Sequence, residues 1–323
     1  MSRLLVLILL GTLVVGTGCK ETDPAWRMTL VGASPGGAWS AIGEAITDEL
    51  RRGIPRSAFT LEPGQDGANA SIVQARKAEM GLVHSSIALA ALKGDFPFST
   101  PHPDIRSIML IYADAPFHFI VDQRSGVQSF EQIQAQRLPL RISVNTRGSL
   151  MELATRTVLE AYSIGYDDIR EVGGTILFYP FTPSYEAMKR RRLDAIGTTV
   201  QVPSRHAIEA SRNLELNILP LSKEAIDFAN QRLGTDTATI LGNSYPFMEE
   251  DIPTFAGRVI LTVQSNLPDQ QVYLITQLLH DRLEQLRRAH RSLQRLTPTT
   301  MPLVGGVPLH PGAERFYREI GVL

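Results

Sequence analysis

The sequence is short of several features that would identify a function. Its 323 residues include one cysteine, which excludes a disulfide framework and a multi-cysteine zinc or iron–sulfur site. The 32 basic and 33 acidic side chains leave a formal net charge of −1, so the charge gives no sign of nucleic-acid binding. The hydrophobic fraction of 43% is that of a globular protein, and the length suits two domains. Composition therefore predicts a globular chain with no nucleic-acid partner.

Motifs for catalysis and metal binding are also scarce. The seven histidines include no H-x-x-x-H or similar pair, so their spacing predicts no metal site. No nucleotide-type phosphate loop is present. Gly32–Gly36 fits the G-x-S-x-G pattern of serine hydrolases, but Pro35 follows Ser34 and has no N–H to donate to an oxyanion. We therefore expect a protein that is not an enzyme and needs no cofactor.

The apolar run Leu4–Val15 is shorter than the roughly twenty residues that span a bilayer. After a basic start, it predicts a signal peptide over residues 1–18 and therefore a periplasmic or other extracytoplasmic location. Small residues lead into Cys19, an arrangement that resembles a bacterial lipobox and implies lipidation of this cysteine and membrane contact through the lipid alone. The alternative is an ordinary secretory signal with an incidental cysteine. Residues 19–26 are polar and predict a flexible tether.

After the tether, strand and helix patterns alternate. Strand patterns fall at Arg27–Val31, Ala58–Glu62, Gly81–His84, Leu140–Val144, either Glu171–Val172 or Ile176–Phe178, and Asp194–Thr198. Helical patterns lie between them. This alternation predicts an α/β fold with mostly parallel sheet covered by helices on both faces.

Two further apolar strands bracket the central third of the chain. Pro116–Val121 and Arg258–Val263 are each followed by a turn and a helical pattern, the second predicting one long helix from Asp269 to about His290. If both strands cross between lobes, lobe one comprises residues 27–123 and 258–323, and lobe two comprises residues 124–257. This is the plan of a hinged two-lobe binding protein.

Two glycine-containing turns each follow a strand and open a helix, one in each predicted lobe. They are Ser34–Ser40 and Asn145–Ser149. Free N–H groups at a helix start favour an anion, and Arg147 adds a fork of donors suited to a carboxylate. Most turns of this kind bind no ligand. Their presence at corresponding places of two lobes favours an anion site between them.

Five segments carry a resemblance to a known family. They are Gly36–Trp39, Gly81–Ser86, Ile142–Ile169, Asp251–Thr254 and Pro308–Tyr317. In this order they resemble the G-G-T-Y-Y, G-L-V-Q-S-D, V-S-V-x-x-x-G-S to Y-D-D-I, D-V-P-T and P-L-H-P-G-A-E-R-Y-Y motifs of the TAXI family of TRAP transporter solute receptors. The resemblance extends over essentially the whole chain after the leader.

The resemblance implies a type II periplasmic-binding-protein-like fold, with two lobes joined by two crossing strands. It implies an extracytoplasmic receptor that captures a small carboxylate, either an organic anion or an amino acid, and delivers it to an ion-coupled TRAP permease in the membrane. The alternative is a sensor module of the same fold that serves a signalling partner. Carried over by position, the ligand-binding residues are Gly37, Ala38, Trp39, His84, Ser85, Arg147, Gly148, Ser149, Thr199 and Gln201.

Several of these positions depart from the family motifs. Ala38 lacks the usual hydroxyl, Trp39 and Ser40 replace two tyrosines, His84 replaces a glutamine, and Arg147 replaces a small residue or proline. These changes exchange neutral polar contacts for a cation, which predicts a more acidic ligand such as a dicarboxylate or keto acid. The alternatives to ligand contact are that Trp39 packs in the core and that His84 is an ordinary residue at the end of a strand.

Overall fold

The computed structural model describes residues 26–33 and 38–323. The predicted signal peptide over residues 1–18, Cys19 and nearly all of the predicted tether lie outside the described residues. Residues 34–37, which include Ser34 and Gly37, also lie outside them. Across the described ranges, no helix is both long and apolar enough to cross a membrane.

Ten strands and twelve α-helices form the described part of the chain. The strands are β1 (Arg27–Val31), β2 (Ala58–Glu62), β3 (Met80–His84), β4 (Ile105–Asp122), β5 (Arg141–Ser143), β6 (Thr175–Leu177), β7 (Ala195–Thr199), β8 (Leu216–Ile218), β9 (Asp236–Ile240) and β10 (Ile252–Gln264). The helices are α1 (Ala38–Gly53), α2 (Asp66–Gln74), α3 (Ser85–Lys93), α4 (Phe130–Gln136), α5 (Leu150–Ala161), α6 (Tyr166–Glu171), α7 (Phe181–Lys189), α8 (Arg205–Ser211), α9 (Lys223–Leu233), α10 (Asp269–Asp281), α11 (Leu283–Ala289) and α12 (Pro311–Glu319).

The strands form one continuous path in the order β2-β1-β3-β10-β4-β7-β5-β6, with β9 beside β10 and β8 beside β4. In lobe one, the elements around β1, β2 and β3, these three strands are parallel, and β10 runs antiparallel between β3 and β4. In lobe two, the elements around β5, β6 and β7, these three are parallel, and β4 runs antiparallel to β7.

Two long strands connect the lobes. The first part of β4 pairs with β10 as far as Pro116, and from Phe117 onward β4 pairs with β7. The first residues of β10 pair with β9, and the rest pair with β4 and β3. Where they cross, Phe117 stacks on Phe255 with ring centroids 5.2 Å apart. Both predicted crossing strands lie within β4 and β10, while the residue limits of the lobes remain a prediction.

Continuous apolar sequence accounts for the buried position of β4 and β10, because strands covered by helices on both faces carry near-continuous hydrophobic runs. From Ala115 to Asp122, every residue of β4 is buried. The core around these strands includes Phe119 on β4, which packs against Phe130 of α4 with ring centroids 4.8 Å apart. The two crossing strands therefore belong to the core as well as to the connection.

Two sequence-based expectations differ from the structure. Glu171 ends α6, so the strand alternative Glu171–Val172 is wrong, and β6 corresponds to the other alternative. The predicted long helix from Asp269 to His290 is two helices, because Arg282 leaves helical geometry with φ −98° and ψ 14°. The turn lets α10 and α11 both pack against α1.

Candidate functional site

An aromatic wall lies at the strand ends of lobe one. The indole Nε1 of Trp39, in the first turn of α1, donates to the hydroxyl of Tyr112 on β4 at 2.8 Å, and the Trp39 ring lies 5.0 Å from the His84 ring. Burial raises the pKa of the Tyr112 phenol, and the nearby carboxylates of Asp114 and Asp66 raise it further, while the bond from Trp39 lowers it. The phenol is therefore neutral and keeps its proton as a hydrogen-bond donor.

Asp66, the first residue of α2, connects this wall to lobe two. Its Oδ1 accepts the backbone N–H of His84 at 2.9 Å, and its Oδ2 lies 2.8 Å from His84 Nδ1. The same Oδ2 accepts the backbone N–H of Leu150, at the start of α5, at 3.1 Å. The two chain segments approach closely here, since a Cβ added at Gly67 would lie 3.2 Å from the carbonyl oxygen of Gly148.

The start of α5 is satisfied by side chains of the protein. Ser149 is the N-cap, and its Oγ accepts the N–H of Glu152 at 3.3 Å. Glu152 in turn accepts the N–H of Gly148 at 3.2 Å, while its other oxygen binds the guanidinium of Arg156 at 2.6 Å. Together with the bond from Leu150 to Asp66, these contacts occupy much of the anion-binding capacity expected of this helix start.

Arg147 is exposed at the edge of this site. Its guanidinium carbon lies 3.9 Å from the centroid of the Phe178 ring, just after β6. Among the described residues, no carboxylate lies within ion-pair distance of Arg147. Its N–H groups are therefore open to a carboxylate from outside the chain.

Three buried hydroxyls at strand ends have no hydrogen-bond partner in the described protein. They belong to Ser85 and Ser86, after β3, and to Thr199, at the end of β7. Ser85 is covered by the loop at Gly305, where an added Cβ would lie 2.8 Å from Ser85 Oγ. Buried polar atoms without a partner are uncommon, and the carboxyl ends of parallel strands are where α/β folds bind ligands.

Gln201 uses both ends of its amide within the protein. Its Nε2 donates to Asp114 Oδ1 at 3.1 Å, and its Oε1 accepts the hydroxyl of Ser292 at 2.7 Å. Ser292 lies in a 3-10 turn that follows α11. Gln201 therefore connects the segment after β7 to β4 and to the chain after α11.

The structure brings together several of the residues named from sequence. Trp39 and His84 are in ring contact. Asp66 binds the start of the helix capped by Ser149, and Gly148 lies close to Gly67 beside it. Ala38 begins α1 beside this cluster and is partly exposed. Arg147 lies at the edge of the site. Roles in ligand binding remain predictions for all of these positions.

Sequence reasoning missed two residues of this cluster. Asp66 follows a glycine-containing turn and opens a helix, a signal that predicts a cap but not a contact 84 residues away. Tyr112 lies in the first half of β4, which no pattern in the sequence separated from its surroundings. Within the part of the chain that the structure describes, no three histidine, cysteine or carboxylate side chains come together as a metal-binding group.

Comparison with known proteins identifies the family. The sequence profile of the NMT1-like family matches residues 30–321. This chain belongs to the NMT1-like family. Similar solved structures include MatC from Rhodopseudomonas palustris with bound malate, at 13% identity over 92% of this chain and 98% of that one, with a TM-score of 0.57.

Two further structures have the same architecture. A TctC solute binding protein from Polaromonas is 17% identical over 94% of this chain and 100% of that one, with a TM-score of 0.51. PhnD1 from Prochlorococcus marinus, in complex with methylphosphonate, is 10% identical over 92% and 99%, with a TM-score of 0.53. At these identities the likeness shows the fold, which is the type II fold of the periplasmic binding proteins. The predicted fold class is confirmed.

Proposed function

We propose that this member of the NMT1-like family is an extracytoplasmic solute-binding receptor that captures a small organic acid or amino acid between its lobes. The observation that carries the proposal is the unused hydrogen-bonding capacity at the strand ends of both lobes. Ser86 supplies it in lobe one, and Thr199 and Arg147 supply it in lobe two. A small polar solute that contacts both lobes would use these groups together.

The ligand class follows from the donors that face it. Arg147 offers N–H groups in a planar fork, and the neutral Tyr112 hydroxyl offers a further donor. The carboxylates near Tyr112, Asp66 and Asp114, already accept hydrogen bonds from the protein. These features favour a ligand with carboxylate oxygens, such as a dicarboxylate or keto acid. The malate and methylphosphonate in two of the similar structures are also small anions.

The partner we propose is a membrane permease of the ion-coupled TRAP type. Support comes from the ordered set of TAXI-like motifs in the sequence, which extends from Gly36 to Tyr317. The lipobox-like segment supports attachment of the receptor to the membrane through a lipid on Cys19. A TRAP permease gene beside the gene of this receptor, with uptake that requires both genes, would support this partner.

Tryptophan fluorescence tests ligand binding directly. The chain has two tryptophans, Trp26 and Trp39, so Trp26→Phe leaves Trp39 in the site as the only reporter. Titration with mono- and dicarboxylates, keto acids and amino acids should give a saturable change for one of these classes. Arg147→Ala should weaken that binding by about tenfold or more, because a charge-assisted hydrogen bond is lost.

The matched control is Arg170→Ala, which removes another exposed arginine of lobe two, on α6. It should leave the affinity unchanged. A flat response to every acid would contradict the proposed function. Equal affinities of the wild type and Arg147→Ala would remove Arg147 from the site.

A further inference from the structure

The carboxylate of Asp66 receives three hydrogen bonds from two parts of the fold. Two come from His84 in lobe one, through the backbone N–H at 2.9 Å and Nδ1 at 2.8 Å. The third comes from the backbone N–H of Leu150 in lobe two at 3.1 Å. Asp66 is only 9% exposed, so these bonds form away from bulk water, where charge-assisted bonds are strongest.

The arrangement fixes where the proton of His84 lies. A carboxylate only accepts hydrogen bonds, so the close contact to Asp66 requires the proton on Nδ1. Nε2 has no hydrogen-bond partner among the described residues, and the ring leans against Trp39 with centroids 5.0 Å apart. Nε2 is therefore the atom of this ring that is left for a ligand.

Asp66 also fills the position that an anion would take at the start of α5. Leu150 is the first residue of this 12-residue helix, and its N–H points at Asp66 rather than at a solute. The N–H groups of Gly148 and Glu152 are bound by side chains of lobe two. A negative charge from lobe one thus holds the helix start of lobe two.

We propose that Asp66 is a positioning residue: it substitutes for an anionic ligand at the start of α5, holds the lobes together without solute, and presents His84 Nε2 to the cleft. A hydrogen-bond donor of the solute, such as a hydroxyl or amino group, then binds at His84 Nε2, and the carboxylate of the solute binds beside Arg147. The Leu150 N–H at the start of α5 stays with Asp66. That a solute binds between the lobes rests on the proposed function, whereas the contacts of Asp66 do not depend on it.

The first test is the isosteric substitution Asp66→Asn, measured without any organic acid. Nitrogen-15 NMR of the His84 ring should show the Nδ1–H form in the wild type, and the Nε2–H form should appear in Asp66→Asn. Asp48→Asn is the control, because the Asp48 side chain on α1 is 50% exposed and, among the described residues, pairs with Arg51 at 2.7 Å. A purely structural role of Asp66 would leave the His84 tautomer unchanged.

The second readout is the distance between the lobes. Spin labels at Lys93 in lobe one and Arg170 in lobe two, in a Cys19→Ala background, report it by pulsed EPR. The wild type should give one short distance. Asp66→Asn should add a longer distance and raise the open-to-closed ratio by about tenfold, as expected for the loss of a charge-assisted hydrogen bond.

A pair of variants at Leu150 tests the same bond from the other lobe. Proline is tolerated at the first position of a helix and lacks only the N–H, so Leu150→Pro deletes the donor to Asp66. Leu150→Ala shortens the side chain but keeps this N–H. The open population should appear in Leu150→Pro and be absent from Leu150→Ala.

The proposal is overturned if Asp66→Asn keeps the wild-type tautomer and distance. If Asp66→Asn does not fold, identical distances in Leu150→Pro and Leu150→Ala overturn it. Because these measurements contain no organic acid, they are independent of the fluorescence titration. A failed titration beside a confirmed contact would reject the proposed ligand alone, and the reverse result would reject the role of Asp66 alone.

Discussion

The two lobes are built differently at the candidate site. In lobe one, the half-buried Trp39 and the buried Tyr112 and His84 form a wall in which each ring contacts another ring or a hydrogen-bond partner. In lobe two, the helix start is bound by Glu152 and Asp66, and Arg147, which has no carboxylate partner among the described residues, is exposed. The two similar helix starts predicted from the sequence therefore have different surroundings in the two lobes. Lobe one offers a fixed surface, and lobe two offers a charge at its edge.

The largest effect on stability should come from the buried carboxylate of lobe two. Glu152 is fully buried and binds Arg156, Gly148 N–H and the Tyr166 hydroxyl. Glu152→Ala leaves all three without this acceptor, so we expect the free energy of unfolding to fall by about 3–5 kcal/mol in urea unfolding. Glu160→Ala, on the exposed side of the same helix, should change it by less than about 0.5 kcal/mol.

If the two glutamate variants were equally stable, α5 would not depend on the network around Glu152. The contrast between a satisfied helix start in lobe two and an aromatic wall in lobe one would then fail.

The strand shared by the lobes should make stability depend on pH. Burial lowers the pKa of His118 on β4 from 6.5 to about 4, while its bond to the Pro116 carbonyl opposes the shift. Between these pH values the unfolded chain binds a proton that the folded chain does not. Stability is therefore lost as pH falls from 6.5 towards 4, by up to about 3 kcal/mol.

Urea unfolding at several pH values, with His118→Gln as the comparison, isolates this contribution. The wild type should lose more stability than the variant as the pH is lowered across that interval. Parallel pH profiles would show that His118 does not have the lowered pKa.

A smaller effect should come from the aromatic wall. Tyr112→Phe removes the acceptor of the Trp39 Nε1–H and should reduce the free energy of unfolding by about 1–2 kcal/mol. Combining it with Trp39→Phe in a double-mutant cycle should give a coupling of about 1 kcal/mol. A coupling near zero would mean that the two side chains act independently, and the wall would lose its main polar connection.

The smallest effect on stability should come from Arg147. Its side chain is exposed, and its guanidinium lies over the Phe178 ring, so Arg147→Ala should change the melting temperature of the free protein very little. Arg156→Ala, which removes the partner of a buried carboxylate, is the contrasting variant and should lower it clearly. A large loss of stability in Arg147→Ala would show that Arg147 supports the fold of lobe two.

The fold class could be predicted because the strand and helix patterns in the sequence agree with the elements of the structure. Alternating strands and helices set the α/β class, and the apolar runs that contain Phe117 and Val259 marked the crossing strands. The site was predictable only in part. The pattern and the family resemblance both indicated Trp39, in the first turn of α1, and His84, at the end of β3. Asp66 acts through a contact with Leu150, and such a contact depends on how the lobes meet rather than on any local pattern.

The central claim is that a small acid binds between the lobes and uses Arg147. A thermal-shift screen of wild type and Arg147→Ala against organic acids and amino acids tests it most directly. A solute at about a hundred times its Kd adds about 2.7 kcal/mol to the native state. The account predicts a clear rise in melting temperature for one class of acid in the wild type and a much smaller rise in Arg147→Ala. No rise with any acid, or an equal rise in both proteins, would contradict it.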